Sequence, residues 1–247
     1  MIVVGGPDLP AGLRRPKPMA TARRQVHTAR TMDVHVLCEK NSLFSQFIAE
    51  IRDVETQQDS MRFRRNLERM GEIFAYEISQ HFDYELKKVT TPLGVTDAKV
   101  PAEQPVLSTI LRAGLPLHQG LLNYFDGADN AFISAYRKHD DTGDFEIHVE
   151  YLASPGIDGR TVILSDPMLA TGQSMVLCYE ALLRKGTPAY THIVAVIASE
   201  EGLEYVKNNL PGDTTIWVGD VDKELDSNSY IVPGLGDAGD LAFGTKT

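Results

Sequence analysis

The stretch Thr161-Val-Ile-Leu-Ser-Asp-Pro-Met-Leu-Ala-Thr-Gly-Gln-Ser-Met175 constrains the fold more than any other part of the chain. An apolar β-type run ends in an acid, a short turn of small and hydroxyl residues follows, and a helix begins near Ser174. A strand that passes directly into a helix is half of a βαβ unit. The same turn has the makings of a phosphate site. The expected strand stops at Asp166, residues 170–174 turn N–H groups inward, and the helix adds its positive N-terminal end. Thr171 and Ser174 supply hydroxyl donors, and Gly172 admits a backbone shape that other residues resist. The plainer reading of these residues is an ordinary strand-to-helix turn.

The rest of the chain repeats the alternation. Helices are expected over 42–52, with Leu43, Phe47 and Ile51 at four-residue spacing, and from an Asp59-Ser60 cap through about residue 82. The second carries the apolar stripe Phe63, Leu67, Met70, Phe74 and Ile78, which suits core or dimer packing. Its Arg62, Arg64, Arg65 and Arg69 read as a solvated face. Residues 89–100 are β-like around Pro92-Leu-Gly94. Residues 105–111 form an almost wholly apolar strand, as a buried parallel strand would be, and end in Arg112. A helix over 117–124, a strand over 131–136 ending in Arg137, and an exposed hairpin arm over 145–151 follow. The strand 162–165, a helix 174–185 stopped by Gly186, a strand 193–198, a helix 200–209 and a strand 215–218 complete the series. This order implies an α/β fold, a mainly parallel sheet with helices on both faces. Ligands bind at the carboxyl ends of the strands in such sheets. Arg112, Arg137 and Asp166 stand at three such ends and are expected to converge around the phosphate loop.

Composition narrows the function. The chain has 247 residues and a formal net charge of -10, which excludes a general binder of nucleic acid or anionic membrane. Residues 1–31 carry six basic side chains against one acid, Asp8, and four prolines. They read as a disordered basic arm on a domain spanning 32–247. A transit peptide is one alternative; the favoured one is that Met32 is the natural start. Two distant thiols, Cys38 and Cys178, suit a reducing, cytoplasmic setting and form neither a disulfide framework nor a zinc cluster. The histidines lack metal-type spacing, and no Ser/His/Asp set or G-x-x-x-x-G-K-[ST] loop is found.

The tail contains a decoy. Gly234-Leu-Gly236-Asp-Ala-Gly239 matches G-x-G-x-x-G, but the eight residues after Gly239 leave no helix, second strand or ribose-binding acid downstream. A Gly-rich backbone can instead let a flat ligand approach main-chain groups closely. Asp237 and Asp240 are candidates to hold a magnesium through waters, or to cap turns.

Four motifs in order carry a resemblance over residues 42–246. They are Ile110-Leu-Arg-Ala-Gly-Leu115, Tyr136-Arg137, Asp166-Pro-Met-Leu-Ala-Thr-Gly-Gln-Ser174 and Tyr230-Ile-Val-Pro-Gly-Leu-Gly-Asp-Ala-Gly-Asp240, with Phe243-Gly-Thr245 at the tail. Together they resemble uracil phosphoribosyltransferase, of the type I phosphoribosyltransferase fold. The resemblance implies a mainly parallel twisted sheet flanked by helices, with a β-hairpin arm and a C-terminal base-binding hood. It implies a pyrimidine-salvage enzyme that makes UMP and pyrophosphate from uracil and phosphoribosyl pyrophosphate (PRPP) with Mg2+. By motif, Pro167, Met168, Leu169, Ala170, Thr171, Gly172, Gln173 and Ser174 would hold PRPP, residues 170–174 cradling its 5′-phosphate. Asp166 would bind the ribose hydroxyls, and Arg112 and Arg137 the pyrophosphate. Ile231, Gly236, Asp237 and Ala238 would form the uracil pocket, with Asp237 also on the PRPP and magnesium side. A hairpin like 144–152 often closes over such sites. The resemblance further implies a homodimer or homotetramer, for which the striped helix near 60–82 offers a surface, and GTP as an effector in some members. Three departures mark a divergent branch: Gln173 where a second glycine is usual, Ser165 where an apolar residue is usual, and Lys138-His139 in place of a more acidic pair. Gln173 motivates the alternative of a non-catalytic nucleotide sensor that keeps the fold.

Overall fold

The computed structural model describes residues 32–139 and 145–245, with only the backbone described at 135–139 and 145–149. The arm 1–31 lies outside the described residues. In chain order the elements are β1 (Asp33–Val36), α1 (Leu43–Arg52), α2 (Ser60–Ser79), β2 (Tyr84–Thr91), β3 (Gly94–Pro101), β4 (Val106–Leu111), α3 (Leu115–Tyr124), β5 (Asp129–His139) and β6 (Phe145–Ala153). Then come β7 (Thr161–Leu169), α4 (Gln173–Leu182), β8 (Tyr190–Ser199), α5 (Glu200–Asn209), β9 (Thr214–Asp222), β10 (Glu224–Leu225), β11 (Ile231–Val232) and α6 (Ala238–Phe243).

Seven strands form one sheet in the order β1-β9-β8-β7-β4-β5-β6. Every pairing is parallel except the antiparallel β5–β6 edge. Strand side chains alternate between two cores, as the period of two requires. On β7, Val162 and Leu164 face α4 and α5, while Ile163 faces α1, α2 and α3. On β9, Ile216 and Val218 take the first side and Trp217 the second. The central strands are apolar on both faces because both faces are covered. No helix among the described residues is long and apolar enough to cross a membrane.

The α2 stripe is where the sequence put it. The Asp59 carboxylate accepts from the Met61 and Arg62 N–H groups, and Phe63, Leu67, Met70, Phe74 and Ile78 are buried. They are buried in the chain's own core, so the stripe offers no surface to a second copy. The arginine face of α2 is more engaged than a solvated face: Arg62 pairs with Glu50, Arg65 with Glu68, and Arg64 donates to the Ala242 carbonyl at 2.6 Å. On α1 the core stripe is Phe44, Ile48 and Ile51: Ile51 is where it was expected, while Phe47 is only partly buried. Leu43 opens the helix beyond the edge of the core and is 68% exposed. The β-like region 89–100 is a hairpin, β2–β3, that begins earlier, at Tyr84, and stands off the main sheet.

Strand ends differ from expectation in a consistent direction. β5 runs past Arg137 to His139, β7 past Asp166 to Leu169, and β9 to Asp222. In each case a partner strand continues the ladder: Arg137 pairs with Ile147, Asp166 with Ala195, and Asp222 with Ser199. Edge strand β1 and the two-residue ladder β10–β11 had no counterpart in the sequence reading. Nor did α6, a helix of six residues in the tail where no helix was expected.

Candidate active site

One cavity of about 500 Å³ opens at the carboxyl ends of β4 and β7. Three parts of the chain wall it. Residues 110–113 come from the end of β4 and its turn into α3. Asp166, residues 168–172, Ser174 and Met175 come from β7 and the start of α4. Residues 228–231 and 236–239 form the hood.

The β7–α4 turn has the features of an anion site. Gly172 is the N-cap of α4 at φ +77°, a left-handed conformation that explains a glycine there. A Cβ at this position would also lie 2.7 Å from the Gly202 carbonyl oxygen. No side chain caps the N terminus of α4, so its first turn presents N–H groups and dipole to the cavity. The loop is braced from α5. Ser199 Oγ donates to the Ala170 carbonyl at 2.6 Å and accepts from the Gly202 N–H at 2.8 Å. Gln173, the first residue of α4, does not line the cavity, and its N–H reaches Thr171 Oγ1 at 3.5 Å. Pro167 is buried and likewise stays off the wall. Ser165 is satisfied by its surroundings. Its hydroxyl donates to the Ser108 carbonyl at 3.2 Å, and its own carbonyl accepts from Thr109 Oγ1 at 3.1 Å.

Asp166 opens on this cavity and accepts from the Met168 N–H at 3.3 Å. Burial pushes its carboxyl up to about 7; the Met168 hydrogen bond opposes the shift, and the negative charge of Asp237 adds to it. Beneath it, burial and then the Asp166 charge push Cys178 up to about 12, which keeps that cysteine a thiol and removes it as a nucleophile.

Arg112 follows a cis peptide at Leu111 and stands opposite the loop. Its Nη2 donates to Asp240 Oδ1 at 3.0 Å and to the Gly244 carbonyl, while its Nε is buried without a hydrogen-bond partner. The two tail acids therefore differ in role. Asp237 caps α6 by accepting from the Asp240 N–H at 2.9 Å, and Asp240 pairs with Arg112.

The cavity thus brings together Arg112, Asp166, Met168, Leu169, Ala170, Thr171, Gly172, Ser174, Ile231, Gly236, Asp237 and Ala238, all expected from sequence. It does not include Pro167 or Gln173. Arg137 is not at a strand end, and its side chain lies outside the described residues, as do those of Lys138 and His139. Among residues the sequence reading did not single out are Met175, Asn228, Ser229 and Tyr230. The last three sit on the β10–β11 connection, folded over by Asp226 Oδ1, which accepts from the Asn228 and Tyr230 N–H groups at 2.8 Å each. Tyr230, an aromatic residue opening the Gly-rich tail motif, was the available signal.

No group of three or more His, Cys, Asp or Glu suited to a metal occurs among the described residues. Asp166 and Asp237 nevertheless face one cavity closely enough for their charges to interact. Two carboxylates with substrate phosphates completing the shell are what Mg2+ accepts, since it keeps waters and demands few protein ligands.

Comparison with known proteins agrees across sequence and structure. A family model described as uracil phosphoribosyltransferase matches residues 38–245. A uracil phosphoribosyltransferase of Porphyromonas gingivalis is 54% identical over 215 residues, covering 87% of this chain and 100% of the relative. One of Pyrococcus furiosus is 38% identical over 209 residues, covering 83% and 88%. The solved structure of the AQ2163 protein from Aquifex aeolicus superposes with a TM-score of 0.76 at 29% identity, covering 87% of this chain and 99% of that one.

Proposed function

The chain belongs to the uracil phosphoribosyltransferase family, and we infer that its strand-end cavity joins uracil to PRPP, releasing UMP and pyrophosphate. In that reaction the bond from the anomeric carbon to the pyrophosphate oxygen breaks and the bond to uracil N1 forms. The N1 proton is lost, and the transition state resembles an oxocarbenium ion. Little covalent work is required. The protein must align two substrates and neutralise the leaving group.

Each wall has a part in this. The uncapped α4 terminus with residues 170–174 suits the 5′-phosphate, as a helix N terminus with left-handed glycine does for anions generally. Asp166, three residues before the end of the same strand and open to the cavity, would take the ribose hydroxyls. Arg112 is the cation for the pyrophosphate: its charge is permanent and its fork matches phosphate oxygens. In the structure that fork rests on Asp240 and Gly244, both of which a pyrophosphate could displace or share. Arg137 remains the second cation on the strength of its motif. Main-chain groups of 236–238 would read the O–N(H)–O edge of uracil and reject cytosine, whose amino group would meet a donor. Asp166 and Asp237 would hold Mg2+, which would supply positive charge to offset that of the departing pyrophosphate. With its free thiols reduced, the enzyme would work in the cytoplasm.

The observation that carries this reading is the meeting, in one cavity, of the uncapped glycine-led helix terminus, Arg112 and the Gly-Asp-Ala turn. Nothing in the geometry favours a sensor without turnover, because Gln173 stays off the wall. Incubation with uracil, PRPP and magnesium should yield UMP. Absence of product while PRPP still binds would refute the assignment.

A further inference from the structure

The base-reading turn is held by side chains that do not line the cavity. Asp222, the last residue of β9, accepts from the Gly234 N–H through Oδ2 at 3.0 Å. Arg52, the last residue of α1, donates from Nη1 to that same oxygen at 2.8 Å and to the Gly234 carbonyl at 3.0 Å. Its Nη2 reaches Asp222 Oδ1 at 3.0 Å and Asp220 Oδ2 at 2.9 Å. Gln57, with its amide nitrogen turned toward two carbonyls, donates to Leu235 at 2.9 Å and to Ile51 at 3.0 Å. Both backbone groups of Gly234 and the carbonyl of Leu235 are therefore gripped by side chains from outside the turn. None of the three gripping side chains lines the cavity.

We infer that Arg52, Asp222 and Gln57 are positioning residues that set the geometry of the uracil-reading turn. The inference rests on the assignment of residues 236–238 to the base. Gly234 and Gly236 have φ of +55° and +93°, so the turn is built from the two residues least able to hold a shape unaided. Local pairing cannot hold it either, since the β10–β11 ladder is two residues long and ends at Val232. Recognition of a base edge by main-chain groups requires their directions to be fixed within a fraction of an ångström. Beyond the core packing of the Leu235 side chain, that stiffness must be imported, and among the described residues the hydrogen bonds that grip 234–235 come from the ends of α1 and β9 and the turn that carries Gln57. The pair is also protected from water: the Arg52 side chain is 18% exposed and that of Asp222 9%. A buried, forked ion pair keeps its geometry better than an exposed one.

A role confined to stapling α1 to β9 predicts something different. Loss of the staple would loosen the whole domain and weaken both substrates together. The phosphate loop belongs to another unit, β7 and α4, braced by Ser199. A positioning role therefore raises the uracil KM well beyond any change in the PRPP KM, to whose side the turn contributes Asp237 alone.

The test is steady-state kinetics of the full chain with magnesium, varying uracil and PRPP separately, for the parent, Asp222→Asn, Gln57→Leu and Arg52→Lys. Asp222→Asn should raise the uracil KM about tenfold, because an amide can still accept from Gly234 but cannot hold the guanidinium as well. Gln57→Leu should raise it about threefold, with PRPP KM in both variants within about twofold of the parent. Arg52→Lys should fall between parent and Asp222→Asn, since one ammonium cannot span two carboxylates and a carbonyl. Uracil and PRPP KM values rising in step, or neither changing in folded variants, overturns the inference. Should Asp222→Asn fail to fold, Gln57→Leu decides, as it removes a single neutral grip near the surface. A parent that makes no UMP overturns the functional assignment and this inference with it; an active parent with unchanged variants overturns the inference alone.

Discussion

Replacing Asp166 with asparagine should make the protein more stable and stop it working. The carboxyl is raised from 3.8 to about 7, chiefly by burial. Between these two values the folded chain holds a proton that the unfolded chain has released, so stability falls as pH rises through the window. Above about 7 both states are ionised and the full penalty stands. Three pKa units correspond to roughly 4 kcal/mol at about 1.4 kcal/mol per unit. Asp166 opens on a cavity that admits water, so about half of that, roughly 2 kcal/mol, is the realistic figure. Asparagine is nearly isosteric, keeps an oxygen for the Met168 N–H and carries no charge toward Asp237.

At pH 8 the Asp166→Asn protein should therefore melt about 4–8 °C above the parent, taking about 2–4 °C per kcal/mol for a domain of this size. The gap should narrow steadily as pH is lowered and nearly vanish at about pH 4, where neither state of the parent carries the charge fully. Turnover should fall by more than about a hundredfold, because the carboxylate is the group proposed to hold ribose and metal. Calorimetric melting from pH 4 to pH 8, with UMP formation measured on the same samples, gives both readouts. A melting temperature equal to the parent's at every pH would show that burial of this carboxylate costs nothing. An asparagine variant that is less stable at pH 8 would show that the charge is compensated in the ligand-free protein. Either result would refute the reasoning, and with it the idea that substrate and cation binding relieves a cost stored at this residue.

Other consequences are more quickly put. Arg112→Ala should lower turnover more than tenfold, and near-parental activity would show that Arg112 does not meet the pyrophosphate. Gly120→Ala should destabilise the fold by about 1–3 kcal/mol, seen as a lower melting temperature. The added Cβ would sit 2.0 Å from the Glu68 carbonyl oxygen and 2.9 Å from the Glu72 nitrogen, so α2 and α3 must part. His192 is buried, and burial, then His81 and His35, push it down to about 3, while its Nδ1 accepts from Trp217 Nε1 at 3.1 Å. Below about 6.5 the unfolded chain gains a proton there that the folded chain refuses, so stability is lost on acidification. His192→Asn, which keeps an acceptor, should reduce the stability lost between pH 7 and pH 5 by about 2 kcal/mol in urea titrations.

What could be read from the sequence follows from how local each feature is. The β7–α4 turn was legible because strand, glycine and helix start are consecutive, and φ +77° at Gly172 is a demand made by that turn alone. The α2 stripe was legible for the same reason, five apolar residues on one face of a capped helix. Strand ends were not, since a strand stops where its partner stops supplying hydrogen bonds. Arg137 looked terminal because the apolar pattern ends before it, yet β6 carries the ladder on to His139. On α1, Ile51 was placed correctly and Phe47 packs against the core's edge, but Leu43 was not, because it begins the helix past the edge of the core, where Phe44 and Ile48 point inward instead.

The tail shows the limit most clearly. Asp237 and Asp240 are three residues apart and chemically the same, and either could cap or pair. Which does which depends on a helix of six residues, too short to announce itself by periodicity, and on Arg112, 128 residues upstream of Asp240. The grip on Gly234 is more remote still. Arg52 lies 182 residues from the carbonyl it holds and 170 from Asp222, and in sequence each resembles any surface charge. A glycine-rich turn has little intrinsic shape, so its residues reveal that close approach is wanted without revealing what fixes it. On the reading proposed above, the chemistry of the hood is written in residues 236–240 and its precision in α1 and β9. Substitutions there should alter base affinity without touching the base.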